Sequence, residues 1–368
     1  NSDIREVGGE WLCLQACRQL LLPEYFETFG WEKQDIALAL TQIIARAVYP
    51  ASEYKTSRWL QENSALCELT GVDPSAITKD KLYQMAHRLY GEKDGLERHF
   101  SNRTNDLFSL DDKIIIYDLT NTYFEGTMRE SRIAKFGRSK EKRNDTRLVV
   151  LAVVVNPEGF LKESQIFEGN MTDPESLQYI LDKMKSHRGR SDKKQVVVMD
   201  AGIATNDNLK MLKEESFDYI CVSRGKLKEY RATSLSPVEI RDKSNQLIEI
   251  SQVEVDGESE SFYKVKSYSK GLKEASMENR FTRAFECGLS QAAEALKKKG
   301  GTKKLEKVWE RIGRLKEKYP SVHRLYQIHV EPDERGIHAT SISWERIEAK
   351  SESRHGEYFL RTSLSVHG

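Results

Sequence analysis

The sequence predicts an α/β protein built on a β-β-β-α-β-α-β core, with a helical N-terminal region and a β-rich α+β insertion after the fifth strand. Three observations predict it. Apolar residues recur at helical spacing up to about residue 105, then give way to short β-branched runs. After Arg224 the character shifts again, to alternating runs and charged helices. A chain of 368 residues also exceeds what one core usually serves, so two or three domains are expected.

The helical region opens the argument. Ile36, Leu38, Leu40, Ile43, Ile44 and Ala47 form an amphipathic segment that Pro50 stops. Ser52 can cap a second helix carrying Tyr54, Trp59 and Leu60. A third, Lys79 to Tyr90, follows the Asp73-Pro74-Ser75 turn. Lys113–Thr120 then reads as a strand, as do Arg147–Val155 and, beyond an Asn156-Pro157-Glu158-Gly159 turn, Phe160–Phe167. Asp173-Pro174-Glu175 opens a helix with Leu177, Ile180, Leu181 and Met184 as its buried stripe. Gln195–Met199 is the fourth strand, about Asn206 to Glu215 a helix, and Tyr219–Ser223 the fifth strand. Past Arg224, Leu247–Val255 and Ser261–Tyr268 flank an Asp256-Gly257 hairpin signal. Helices at about Met277–Lys298 and Lys303–Lys318 come next, then strand-like runs Leu325–Val330, His338–Trp344 and Tyr358–Leu364. The expected division is 1–108 helical, 109–226 core, 227–356 insertion and 357–368 last core strand.

Composition narrows the function. Lys+Arg number 58 against 57 Asp+Glu, a net charge of +1, which conceals two basic tracts. Arg129–Arg147 holds eight basic and three acidic residues, and Lys297–Lys318 ten and three. A charge run alone marks no more than a solvated face. The longest apolar run, Leu148 to Val155, has eight residues and cannot cross a membrane as a helix. No signal-peptide pattern opens the chain. Cys13, Cys17, Cys67, Cys221 and Cys287 make no CxxC pair, which fits a reducing cytoplasm, with Cys13 and Cys17 read as small buried hydrophobes. His187, His323, His329, His338 and His355 have no zinc spacing. No GxGxxG, Gly-rich phosphate loop or GxSxG elbow occurs, so no nucleotide cofactor is expected.

Asp118 and Asp200 are the centre of the functional reading. Each is expected at or near the end of a buried apolar strand, where carboxylates from neighbouring strands can converge. Singly, such an Asp is a turn former or a cap. Together, two converging carboxylates repel each other and call for a divalent cation. Mg²⁺ suits that role, because it takes one or two carboxylates and keeps waters or phosphate oxygens as its other ligands.

The stretches IIIYDLTNTYFEG (114–126), KFGRSKEKRNDTRLVVLAVVV (135–155), GNMTDPESL (169–177), VVVMDAGIAT (196–205) and YICVSRGK (219–226) resemble bacterial insertion-sequence transposases of the DDE class. That resemblance implies an RNase H-like core, with Asp118 and Asp200 as the first and second catalytic, metal-holding aspartates. It implies two Mg²⁺ or Mn²⁺ ions in the complete site. The implied partner is double-stranded DNA, at element ends and target, bound by a homodimer in the bacterial cytoplasm or nucleoid. In that context Lys135, Arg138, Lys140, Lys142, Arg143, Arg147, Tyr123 and Arg224 are the candidate DNA contacts. Tyr117, Phe124, Trp59 and Trp344 are weaker stacking candidates, each read singly as core. Residues 1–108 would help hold the element ends.

One departure stands out. The family's third acid is a Glu within Tyr-x-x-Arg-x-x-x-Glu-x6-Lys, and no Glu beyond Gly225 has an Arg four positions before it. Tyr358 and Arg361 keep the first spacing, but Ser365 stands where the Glu belongs. Glu345, Glu348 and Glu352 are read as solvated surface acids. The expectation is a chain that stops short of its third acid; the alternative function is a non-catalytic DNA-binding transposase fragment. A phosphohydrolase with Asp118 as nucleophile is disfavoured, because Thr120 occupies the place of the second acid in its Asp-x-Asp motif.

Overall fold

A computed structural model describes residues 4–137, 143, 145–187, 194–225, 227, 229–233, 236–347 and 354–364. Compactness divides the chain once, into Asn1–Cys221 and Val222–Gly368.

The first unit begins with seven helices: α1 (Gly8–Gln19), α2 (Leu22–Glu27), α3 (Lys33–Val48), α4 (Glu53–Glu62), α5 (Leu66–Thr70), α6 (Lys79–Gly91) and α7 (Lys93–Phe108). The three amphipathic segments expected here are α3, α4 and α6. On α3, Ile36, Ala39, Leu40, Ile44 and Ala45 are buried at i, i+3 and i+4 spacing, which is why this face closes the helical core. Ser52 caps α4, its hydroxyl accepting from Lys55 N at 3.4 Å, and Thr78 caps α6 in the same way at 3.3 Å.

Then come β1 (Ile114–Tyr123), β2 (Leu148–Val155), β3 (Leu161–Glu168), α8 (Asp173–His187), β4 (Val196–Met199), α9 (Asn206–Glu214) and β5 (Asp218–Val222). The sheet order is β3-β2-β1-β4-β5. The first three strands are antiparallel, and β4 and β5 run parallel to β1. This is the RNase H-like arrangement the sequence predicts. Period-two alternation sends Ile115, Tyr117 and Leu119 of β1, and Leu148, Val150, Ala152 and Val154 of β2, to one face. There they meet Leu177, Ile180 and Leu181 of α8 and Leu209 and Leu212 of α9 in a single core. The Tyr117 hydroxyl, buried in that core, donates to Ser176 Oγ at 2.9 Å.

In the second unit, β6 (Arg231–Ala232), β7 (Val238–Arg241), β8 (Leu247–Glu254) and β9 (Ser261–Ser267) lead into α10 (Tyr268–Lys297), α11 (Leu305–Lys318), β10 (Tyr326–Pro332), β11 (Ala339–Arg346) and β12 (Glu357–Thr362). An antiparallel sheet joins β12, β9 and β8, with β6 and β7 both on β8. The β10–β11 hairpin packs with α10 and α11 around Phe285, Leu289, Ile312, Val322 and Ile342. Helix α10 starts at Tyr268, earlier than its apolar stripe suggests, because its first turns carry little that is buried. Among the described residues no helix is long and apolar enough to cross a membrane.

Candidate functional site

Strand register brings the two aspartates together. The parallel pairs of β1 and β4 are Ile114↔Val196, Ile115↔Val197 and Ile116↔Val198. Asp118 and Asp200 each lie two residues beyond the last of these pairs. Both therefore sit at the same level, on the face shared by Ile116 and Val198 and opposite the core, on strands roughly 4.8 Å apart. Both are exposed. The expectation that Asp118 ends its strand is corrected: β1 continues to Tyr123, held by pairs with β2 that run from Ile116↔Val155 to Tyr123↔Leu148. What ends at this level is β4, so Asp118 marks the point where its parallel neighbour departs.

The local turn presents the second carboxylate. Asp200 Oδ1 accepts from Ile203 N at 3.1 Å, closing the turn that follows β4. Gly202 leaves it room, since a Cβ there would lie 3.2 Å from the same oxygen. Thr205 then caps α9, accepting from Asn208 N at 3.1 Å. Asp118 Oδ1 accepts from Leu119 N at 2.9 Å. Among the described residues neither carboxylate is ion-paired with a Lys, Arg or His. Two exposed, uncompensated carboxylates at one level of adjacent strands fit a divalent cation, with open positions left for water or phosphate oxygens.

No third ligand joins them among the described residues. The one described group of three potential ligand side chains within 4.8 Å is Asp94, Glu97 and Glu163, and sequence reasoning missed it. These acids belong to α7 and β3, and two lysines already neutralise them. Lys183 Nζ of α8 lies 2.6 Å from Glu163 Oε1 and 2.7 Å from Asp94 Oδ1, and Lys93 Nζ lies 2.9 Å from Glu97 Oε2. Ser164 also donates to Glu97, through Oγ and, at 3.1 Å, through its backbone N–H. Three carboxylates face two ammonium groups. Burial, with the neighbouring Glu97 carboxylate, pushes Glu163 up to about 7, against the pull of Lys183. Glu97 goes the other way: although burial opposes ionisation, its bonds from Ser164 and Lys93 hold it below the usual carboxylate range. This group is a clasp between the helical region and the sheet, with ammoniums where a metal would sit.

The candidate DNA contacts fall in three groups. Lys135, Arg143, Arg147 and Tyr123 lie on or beside the strap that returns to β2. Backbone bonds of 3.1 and 2.9 Å tie Lys135 to Leu148. Arg147 Nη1 donates to the carbonyls of Met128 and Ala134, both at 3.3 Å, so it braces this strap. Arg143 makes a two-bond pair with Asp145 at 2.7 and 2.8 Å and lies over the Tyr123 ring at 5.2 Å. Arg138, Lys140 and Lys142 lie outside the described residues, and Arg224 is exposed in the second unit. Of the stacking candidates, Tyr117 and Trp59 are buried in cores, Trp344 packs against one, and Phe124 is half-buried.

A family model described as a transposase DDE domain matches residues 109–331. No curated protein matches the chain. Among solved structures, one likeness is to a piggyBac transposase synaptic complex with hairpin DNA, at 13% identity and a TM-score of 0.31, over 60% of this chain and 49% of that one. Another is to a Mos1 transposase paired-end complex with left transposon end, at 10% identity and a TM-score of 0.22, over 51% of this chain and 58% of that one. The chain thus spans about half the length of these transposases. No residue role is transferred from them.

Proposed function

The chain belongs to the transposase DDE domain family, and from that premise we propose that it cuts and joins double-stranded DNA at the ends of a mobile element of the bacterial insertion-sequence kind, acting as a homodimer on DNA. The observation that carries this reading is the register that sets Asp118 and Asp200 at one level and on one face of β1 and β4. These two side chains would hold Mg²⁺ or Mn²⁺, which, when bound, polarises the scissile phosphate and activates the attacking oxygen. The protein's own part is positional. The hydrogen-bonded sheet fixes one carboxylate against the other, and the Asp200–Ile203 turn orients the second. The basic strap from Arg129 to Arg147 supplies phosphate contacts, so binding falls steeply with salt.

A second reading, DNA binding without efficient cleavage, is favoured by one observation: among the described residues no third acid joins the pair. Calorimetry with Mn²⁺, paired with a nicking assay on duplex DNA, tests both. Under the first reading Asp118→Ala and Asp200→Ala each abolish a metal site present in the unaltered chain, and nicking disappears with it. Metal binding without nicking favours the second reading. Binding indifferent to both substitutions would overturn the assignment of the pair.

A further inference from the structure

The second unit carries a basic surface that the chemistry assigned to Asp118 and Asp200 does not use. Between α10 and α11 the chain reads Lys297-Lys298-Lys299-Gly300-Gly301-Thr302-Lys303-Lys304, five exposed lysines with no acid among them. Helix stability accounts for only part of this. Lys297 complements the dipole at the C-terminus of α10, but Lys303 and Lys304 flank the N-terminus of α11, where a cation is unfavourable. Lys304 is the N-cap and makes no side-chain cap bond, at a position where Ser, Thr, Asp or Asn is preferred.

The turn is also held in shape. Gly300 has φ +81°, and a Cβ on Gly301 would fall 1.9 Å from the Ala295 carbonyl oxygen. Ala339 N donates to Lys303 O at 2.8 Å and Leu305 N to Ile337 O at 3.0 Å, tying the turn to the β10–β11 hairpin. From there Lys307, Arg311, Arg314 and Lys318 continue at i, i+4, i+7 and i+11 along α11, within an arc of about 60° at 3.6 residues per turn. That arc lies away from buried Val308 and Ile312. Glu306, Glu310 and Glu317 occupy the neighbouring arc, Glu310 being paired with Arg314. The 14 residues of α11 extend ~21 Å. Duplex DNA presents about 12 phosphate charges over that length, at one per 1.7 Å.

We propose that the lysine turn and the α11 stripe form a seat for the phosphate backbone of duplex DNA that is independent of base sequence. The proposal rests on the reading that the chain acts on DNA. The chemistry favours a phosphate backbone over a protein partner, because the turn and the stripe hold no aromatic or aliphatic anchor of the kind that carries binding energy in protein interfaces.

The test is fluorescence anisotropy of a labelled 30-base-pair duplex of arbitrary sequence, titrated with the full chain at several salt concentrations. Replacing all five turn lysines by Ala is expected to weaken binding at least tenfold. It should also lower the slope of log affinity against log salt by about 3 to 4, at ~0.9 per lost phosphate contact. Replacing the same five by Arg is expected to keep the original slope. Lys297–Lys299 and Lys303–Lys304 are also replaced separately, so that a folding defect in one set leaves the other as the measurement. An unaltered slope in the Ala variants, an Arg variant as weak as the Ala variant, or wild-type binding insensitive to salt overturns the proposal. Mn²⁺ calorimetry on the same Ala variants is expected to match the wild type. A chain that binds no metal yet shows the slope change would overturn the reading of the aspartate pair and leave the seat standing.

Discussion

Glu163→Gln probes the clasp between α7, β3 and α8. The Glu163 side chain is buried, and burial is the main reason its carboxyl is pushed from 4.5 up to about 7, with the Glu97 carboxylate adding to the shift. The folded chain therefore holds a proton that the unfolded chain releases at lower pH. Stability from this source is complete below about 4.5 and is lost as pH rises through about 7. At ~1.4 kcal/mol per pK unit, the 2.5 units between 4.5 and 7 correspond to about 3 kcal/mol, an upper value because Glu97 shares the proton. Gln is uncharged at every pH and resembles the protonated acid. The assay is urea unfolding at pH 5.5, 7.0 and 8.5, read through hydrogen exchange of α7 and β3 peptides. The wild type is expected to lose about 2 to 3 kcal/mol more than Glu163→Gln between the first and last pH. Parallel stability curves for the two proteins would refute the proton-sharing argument.

Three other outcomes follow from the packing. Ser176→Ala leaves the buried Tyr117 hydroxyl without its 2.9 Å partner and is expected to cost about 1 to 3 kcal/mol in thermal unfolding, most of which a second change, Tyr117→Phe, restores. In Gly169→Ala the new Cβ would fall 2.1 Å from Leu148 O and 2.6 Å from Lys135 O, so the strap at Lys135 must detach; limited proteolysis between Arg129 and Arg147 should accelerate at least tenfold, roughly 1.4 kcal/mol of local opening. Burial pushes the Cys17 and Cys67 thiols up to about 11, whereas Cys287 is exposed, so iodoacetamide at pH 8 is expected to label Cys287 first and to reach Cys17 and Cys67 only on unfolding.

Local signals were legible wherever one residue type fixes one local geometry. Pro50 and Ser52 bracket the junction of α3 and α4, and the apolar run of β2 together with the Asn156–Gly159 turn locates the β2–β3 hairpin. Asp200 was legible because it directly follows a short apolar strand. Asp118 was placed one step too near a strand end, since the polar stretch Thr120-Asn121-Thr122 conceals pairing that only β2 supplies. The start of α10 was hidden because Tyr268–Met277 contains no buried apolar stripe. The clasp left the faintest trace: Glu97, Glu163 and Lys183 lie 66 and 20 residues apart in the chain. Only the alternation that puts Glu163 on the same side of β3 as buried Phe167 hinted at a carboxylate facing inward.

The alignment of Ile116 with Val198 makes the aspartate pair a matter of parity. Because side chains alternate faces residue by residue, inserting or deleting one residue between Ile116 and Asp118, or between Val198 and Asp200, would do more than shift a carboxylate by a few ångströms. It would turn that carboxylate through the sheet, into the side where Tyr117 and Met199 are buried. Lengthening by two would restore the facing but move the group ~6.6 Å along its strand, out of step with its partner. The pair is thus either in phase or absent. Sequence change in this part of the protein is confined to substitution, while the strap and the lysine turn have no such phase to keep.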